Sequence, residues 1–187
     1  KNISITGFGT IDGQGGSKTF QFGNDADGGP KRPKIIYFVE CKGIVVTDVT
    51  LRNSAYWVQH YEKCEDVTIR GLKVFSHCNY NNDGLDIDAK NATISDCYID
   101  VEDDAICFKS DHPEFCENIT VTNCVTASNC NAIKFGTASH GGYRNIAVSN
   151  CVVRRAAEDN IRHWSKQLEH ISADVTVISG VAIEMVD

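Results

Sequence analysis

Apolar positions along this chain alternate with polar ones in short bursts, and the bursts recur. Seven related segments stand out: NISITGF from Asn2, GIVVTDV from Gly43, DVTIRGL from Asp66, NATISDC from Asn91, NITVTNC from Asn118, NIAVSNC from Asn145 and HISADVT from His170. Their starts advance by 41, 23, 25, 27, 27 and 25 residues, the first interval being stretched by a Gly-rich insertion over residues 9–34. Three positions in each segment form apolar ladders. The first is Ile3, Ile44, Val67, Ala92, Ile119, Ile146, Ile171, and the second is Ile5, Val46, Ile69, Ile94, Val121, Val148, Ala173. The third is Phe8, Val49, Leu72, Cys97, Cys124, Cys151, Thr176. Period-2 alternation with Ile and Val inside and Asn, Asp and Gly at the edges predicts short strands punctuated by turns.

A second alternation follows late in most repeats: GLDID, AICFK, AIKFG, NIRHW and GVAIE. Each repeat is then one coil with at least two strands, and stacked coils of this length predict an all-β fold, a right-handed parallel β-helix of about seven coils. A leucine-rich horseshoe has a similar period, but four Leu and no LxxLxL frame argue against it. The late strands at 84–88, 105–109, 132–136 and 160–164 are expected to stack as one sheet, with Leu85, Ile106, Ile133 and Ile161 in one inward lane. The nine cysteines include no CxxC or CxxH pair, so they do not announce zinc. Small and apolar, Cys97, Cys124 and Cys151 suit a stacked column, and Cys107 with Cys116 is the pair best placed for a disulfide. The sequons at Asn2, Asn91 and Asn118 fall at repeat starts, where stacked Asn side chains bond the turns.

The 187 residues suit a single β-helix domain over 1–187, and the chain is long enough to bury roughly 70 % of its unfolded surface. It opens inside one coil and stops inside another without an amphipathic cap, which reads as part of a longer catalytic domain. A net charge of −7 argues against binding a phosphate backbone, and no apolar run is long enough to span a bilayer. Lys1 leads straight into strand-like sequence, so any export signal is expected to have been removed or to lie outside this chain.

The acidic residues are concentrated. NNDGLDID (81–88) lies on one coil and EDD (102–104) on the next, so Asp83 and Asp104, each just ahead of a late strand, would stack with Asp103 beside them. Three carboxylates at one rung spacing cannot all ionise freely, so one pKa must rise. A protonated acid beside ionised carboxylates is what glycosidic hydrolysis needs. The alternatives for such a cluster are turn-forming Asp, as expected of Asp48, Asp96 and Asp100, or a calcium site. Outward positions on the same face read Asp86, Cys107, Lys134, Arg162 and Ala182, and cations beside the carboxylates suit an anionic sugar.

These residues resemble glycoside hydrolase family 28, the polygalacturonases and their relatives. ITGFGTIDGQG (5–15) is similar to the family's ITGxGxIDGxG, RNSAYWVQHYEKCEDVTIRGL (52–72) to NSPxWxxHxxxCxNVxIxxL, NNDGLDID to NTDGxD, and DDAIC to DDCIA. The resemblance implies a right-handed β-helix that hydrolyses pectin with inversion and without a metal or other cofactor. It implies Asp103 as general acid and Asp83 and Asp104 as holders of the attacking water. Two departures stand out: Asn131 occupies the place of the family's GHG histidine, and the RIK motif aligns with NIRHW, which keeps Arg162 and puts Trp164 where Lys is expected. The substrate-binding set is therefore Asn131, Lys134, Arg162 and Trp164, the last stacking on a sugar ring. SHGG (139–142) lies beyond its strand and is a weaker histidine candidate.

The expected partner is an acidic plant-type polysaccharide or oligosaccharide, with no nucleic acid, no membrane insertion and a monomeric state. A pectin substrate also implies a secreted or periplasmic protein. The competing readings are a calcium-dependent pectate lyase and a non-catalytic carbohydrate-binding β-helix.

Overall fold

A computed structural model describes residues 1–20, 32–156 and 177–185. The strands stack in parallel into a β-helix, and a 3-10 turn at Lys18–Phe20 is the single helical element among the described residues. One face holds β3 (Ile36–Val39), the start of β6 (Gln59–Arg70), the start of β8 (Leu85–Ser95), β10 (Ile106–Ser110), β13 (Asn131–Ser139) and β16 (Ser179–Ile183). A second face holds β1 (Ile3–Thr6), β4 (Lys42–Thr47), the ends of β6 and β8, β11 (Cys116–Thr122) and β14 (Tyr143–Ser149). β8 shows the division: its start pairs with β10 and its end with β11, two strands of the next coil. The third face is a six-stranded sheet of β2 (Thr10–Asp12), β5 (Thr50–Arg52), β7 (Lys73–Ser76), β9 (Tyr98–Val101), β12 (Val125–Ser128) and β15 (Val152–Arg154).

The ladders read from the sequence are the register. Ile3, Ile44, Val67, Ala92, Ile119 and Ile146 are successive partners, as are Ile5, Val46, Ile69, Ile94, Val121 and Val148. The seventh repeat, from His170, lies outside the described residues. The third ladder holds from Val49 through Cys124, all buried, but Phe8 is 91 % exposed. Thr6 pairs with Thr47 while Thr10 pairs with Thr50, so the first coil has one extra residue at this corner and Gly9 takes the lane. None of the nine cysteines is bridged. Cys107 and Cys116 instead donate to the carbonyls of Gly136 (2.9 Å) and Ile87 (3.4 Å).

Corners turn on residues in the left-handed region. Asn2, Asp66, Asn91, Asn118 and Asn145 all have φ between 53° and 58° there, a conformation that Asn and Asp tolerate better than most residues. Their side chains bond each other rather than turn backbone: Asn145 Nδ2 donates to Asn118 Oδ1 (3.0 Å), and Asn118 Nδ2 to Asn91 Oδ1 (3.1 Å). Asp48 and Asp96 form a similar corner row with Asn123 and Asn150. Asp100 does not sit in a turn. It lies in β9, fully buried, where His77 Nε2 (2.8 Å) and Arg154 Nη2 (2.8 Å) reach its two oxygens.

The late strands 85–95, 106–110 and 131–139 are neighbours, with Leu85, Ile106 and Ile133 in one lane. The fourth member of that lane is Val181 of β16, which pairs directly with β13. The strand expected at 160–164 lies outside the described residues. Ala182 is the partner of Lys134.

Candidate active site

The catalytic candidates come from the loops that run from the third face into the first. By the register, Trp57, Asp83, Asp104 and Asn131 occupy one lane on successive coils. The backbone closes these loops onto one another: Val58 N donates to Asp83 O (2.7 Å), Gly84 N to Asp104 O (2.8 Å) and Ala105 N to Asn131 O (2.9 Å). Buried Asn82 clamps the segment before Asp83, its Nδ2 donating to Ser54 O and Tyr56 O and its Oδ1 accepting from Ser76 Oγ. Asp104 N donates to Asp103 Oδ1 (2.9 Å), and Ser128 Oγ donates to Asp103 O (2.6 Å). Carboxylate oxygens of Asp83 and Asp104, and of Asp103 and Asp104, consequently come within 4.8 Å of each other.

More than one of these carboxyls rises. Burial, then Asp86, Asp103 and Asp104, pushes Asp83 well above the ordinary carboxylate range, and its Oδ1 has no hydrogen-bond partner. Burial and the adjacent Asp104 push Asp103 up to about 6. Asp86, one lane outward, goes up to about 7, burial outweighing the nearby Lys109. Asp104 is differently placed: it accepts from Asn131 N (3.2 Å) and Asn131 Nδ2 (2.7 Å), and Lys134 Nζ lies 3.2 Å from its other oxygen. Three neighbouring carboxyls of unequal environment can divide the roles of proton donor and proton acceptor.

Lys134, expected to grip substrate, is already engaged. Lys134 is held between Asp104 and Glu184 (3.1 Å). Although burial opposes it, Asp104 and Glu184 hold its ammonium above the usual lysine range. Asn131, at the place of the expected histidine, uses its amide on Asp104, and its Oδ1 accepts from Ser179 Oγ (3.0 Å). His140 of SHGG is exposed, and the neighbouring Gly141 N bonds Ser110 Oγ (3.1 Å). Arg162 and Trp164 lie outside the described residues.

Sequence reasoning missed four residues here. Lys109 Nζ is 3.4 Å from Asp86 Oδ1 and lies over the Trp57 ring; its outward parity two residues after Cys107 was a usable signal. Buried Arg32 donates to Tyr80 O (2.6 Å) and Asn81 Oδ1 (3.2 Å), while Asn81 Nδ2 reaches Asp103 Oδ2 (3.4 Å). Arg32 thus props the loop that carries Asp83 and whose Asn81 reaches the acid, but its position inside the Gly-rich insertion gave no periodicity to read. Lys34 and Glu184, the other two, owe their place to coil register.

Two trios bring donors together, Asp83–Asp104–Cys107 and Asp103–Asp104–Cys130. Burial holds both thiols above their ordinary pKa. Calcium wants six to eight oxygens, so two carboxylates and a protonated thiol fit it poorly.

Comparison with known proteins agrees with this architecture. A Vitis vinifera protein described as a probable polygalacturonase is 34 % identical over 120 residues, which span 61 % of this chain and 24 % of the relative. A hyperthermoactive exopolygalacturonase from Thermotoga maritima superposes with a TM-score of 0.64 at 30 % identity, over 69 % of this chain and 32 % of that one. A family 28 exopolygalacturonase from Yersinia enterocolitica shares the fold, with a TM-score of 0.68 at 20 % identity over 81 % of this chain and 35 % of its own. The chain thus spans about a quarter of the plant relative's length. The family model "Glycosyl hydrolases family 28" matches residues 1–186, nearly the full sequence in coil order, and the chain belongs to that family.

Proposed function

We propose that this chain carries the acid–base centre of a hydrolase that cleaves glycosidic bonds in pectin-type, galacturonate-containing polysaccharide. One observation carries the reading: the register gathers Asp83, Asp103 and Asp104 in buried surroundings that raise Asp103 to about 6. Asp103 protonates the leaving oxygen; at 9 % exposure it is the least buried of the three. Asp104 takes the proton of the attacking water, because Lys134 and the Asn131 amide stabilise its charge. Asp83 holds that water through its unpartnered Oδ1.

The reaction inverts the anomeric carbon in one displacement. The Asp103 and Asp104 oxygens approach within 4.8 Å, closer than the ~6.5–9.5 Å usual for inverting pairs. The attacking water is therefore placed between Asp83 and Asp104 rather than between acid and base. The substrate class makes this an enzyme of the cell exterior or periplasm, acting on plant cell-wall material.

Reducing-sugar release from a panel of polygalacturonate, esterified pectin and rhamnose-containing pectin tests the reading. Release by the parent, with loss in Asp103→Asn, is expected. An unsaturated product absorbing in the ultraviolet would instead mean elimination, and release from none of them would mean a non-catalytic β-helix.

A further inference from the structure

The cations nearest the carboxylates are neutralised by them, which raises the question of what meets an acidic substrate. Lys109 pairs with Asp86, and Lys134 with Asp104 and Glu184. Lys34 does not follow this pattern. It lies two residues before the start of β3, and the pairing of Ile36 with Gln59 and of His60 with Asp86 extends to place Lys34, Trp57 and Asp83 on successive rungs of one lane. At ~4.8 Å per rung, Lys34 stands about 10 Å along the helix axis from Asp83.

Lys34 takes part in no ion pair among the described residues. Its hydrogen-bond contact is with His60 Nδ1, 2.8 Å away. Burial, then the Lys34 charge itself, lowers His60 to about 3, so the ring is neutral and cannot compensate the ammonium. An ammonium has three donors, and the contact to His60 uses one. Asp86, Glu62 and Asp111 act on Lys34 only from beyond ion-pair distance, with Lys109 opposing them, and burial outweighs them to lower its pKa.

The surroundings hold this charge in place. Lys34 Nζ lies 4.1 Å from the centre of the Tyr37 ring and 4.5 Å from that of Trp57. Tyr37 is in turn fixed by stacking on His60, with centroids 5.2 Å apart and planes within 6°, and by its hydroxyl on Glu62. A half-buried cation with aromatic walls and unused donors is organised before any ligand arrives, and such a charge is worth more to an incoming anion than a solvated lysine.

We infer that Lys34, walled by Tyr37 and Trp57 and propped by His60, is a carboxylate-binding subsite for a uronate unit lying about two rungs from the catalytic carboxylates. The inference rests on the pectin-type reading and specifies where that substrate's charge is read. The uronate carboxylate accepts the two remaining Lys34 donors, and the sugar lies across β3 and β6 toward Asp83.

The test compares oligogalacturonate with the same oligomer after carboxyl reduction, using the parent, Lys34→Met and Lys34→Arg. Lys34→Met is expected to raise KM on the acidic oligomer about tenfold with kcat held, because one charge-assisted contact is lost in binding alone. KM on the reduced oligomer should not move, and Lys34→Arg should recover most of the loss. Equal losses on both oligomers, or no loss on either, would overturn the subsite. Should the parent cleave neither oligomer, the hydrolase reading fails separately, and calorimetric titration of the same two oligomers still decides Lys34. A parent preference for the acidic oligomer that Lys34→Met abolishes supports the subsite, and no preference or no binding overturns it.

Discussion

Asp103→Asn should cost the protein its activity and make it more stable at neutral pH. In the native state this carboxyl titrates at about 6 rather than its ordinary 3.8, because burial and Asp104 penalise its charged form. That difference is about 2 pH units, and at about 1.4 kcal/mol each it amounts to about 3 kcal/mol of penalty on the folded protein. The sign follows from the raised value. Below pH ~4 the carboxyl is protonated in both folded and unfolded chains and the penalty is absent. It grows as pH rises through 4 to 6 and is complete above that.

An uncharged amide avoids the penalty and can keep the bond from Asp104 N, but it loses the one from Asn81 Nδ2, worth about 1 kcal/mol. A net gain of about 2 kcal/mol at pH 7.5 is expected. At ~2–4 °C per kcal/mol for a chain of this size, Tm rises by about 4–8 °C. Loss of the proton donor should lower kcat about 10²–10⁴-fold. Thermal melts of parent and variant at pH 4 and pH 7.5, with turnover on the best pectin, check both halves. A variant that melts lower at pH 7.5, or whose advantage is the same at pH 4, would refute the electrostatic argument. Activity within threefold of the parent would remove Asp103 from the chemistry.

Three other outcomes follow from the same geometry. Lys134→Met removes a single charge that both lowers the Asp103 pKa and stabilises Asp104, so kcat should fall about tenfold or more while the alkaline limb of the pH–rate profile moves upward; an unmoved limb would separate Lys134 from the acid. Gly84→Ala would set a Cβ 2.5 Å from Ile99 Cγ2 and 2.7 Å from Ala105 O, so displacement of Asp83 and a loss of about 1–3 kcal/mol are expected in denaturant melts. NMR of the first product formed from an α-linked galacturonan should show the β-anomer; initial α-anomer would mean retention and would sink the single-displacement scheme.

The sequence by itself determined the coil. Side chains in stacked coils meet their equivalents one repeat away, so Ile44, Val67 and Ala92 declare their pairing by recurrence alone, and Asp83 and Asp104 fall together for the same reason. That logic fails where the repeat length changes. One added residue at the first corner turns Phe8 out of its lane, and the rung beyond β13 is supplied by Val181, Ala182 and Ile183. Local alternation does not by itself name the partner of β13, because the same inward–outward pattern recurs along the chain and only packing against the previous coil decides which segment pairs. The charge partners were hidden too. Glu184 reaches Lys134, Arg154 reaches Asp100, and Lys34 meets His60 without a carboxylate in ion-pair range. Strand parity says that a side chain points outward, but whether its charge is neutralised depends on which long, flexible neighbour folds over it, and tertiary packing alone settles that.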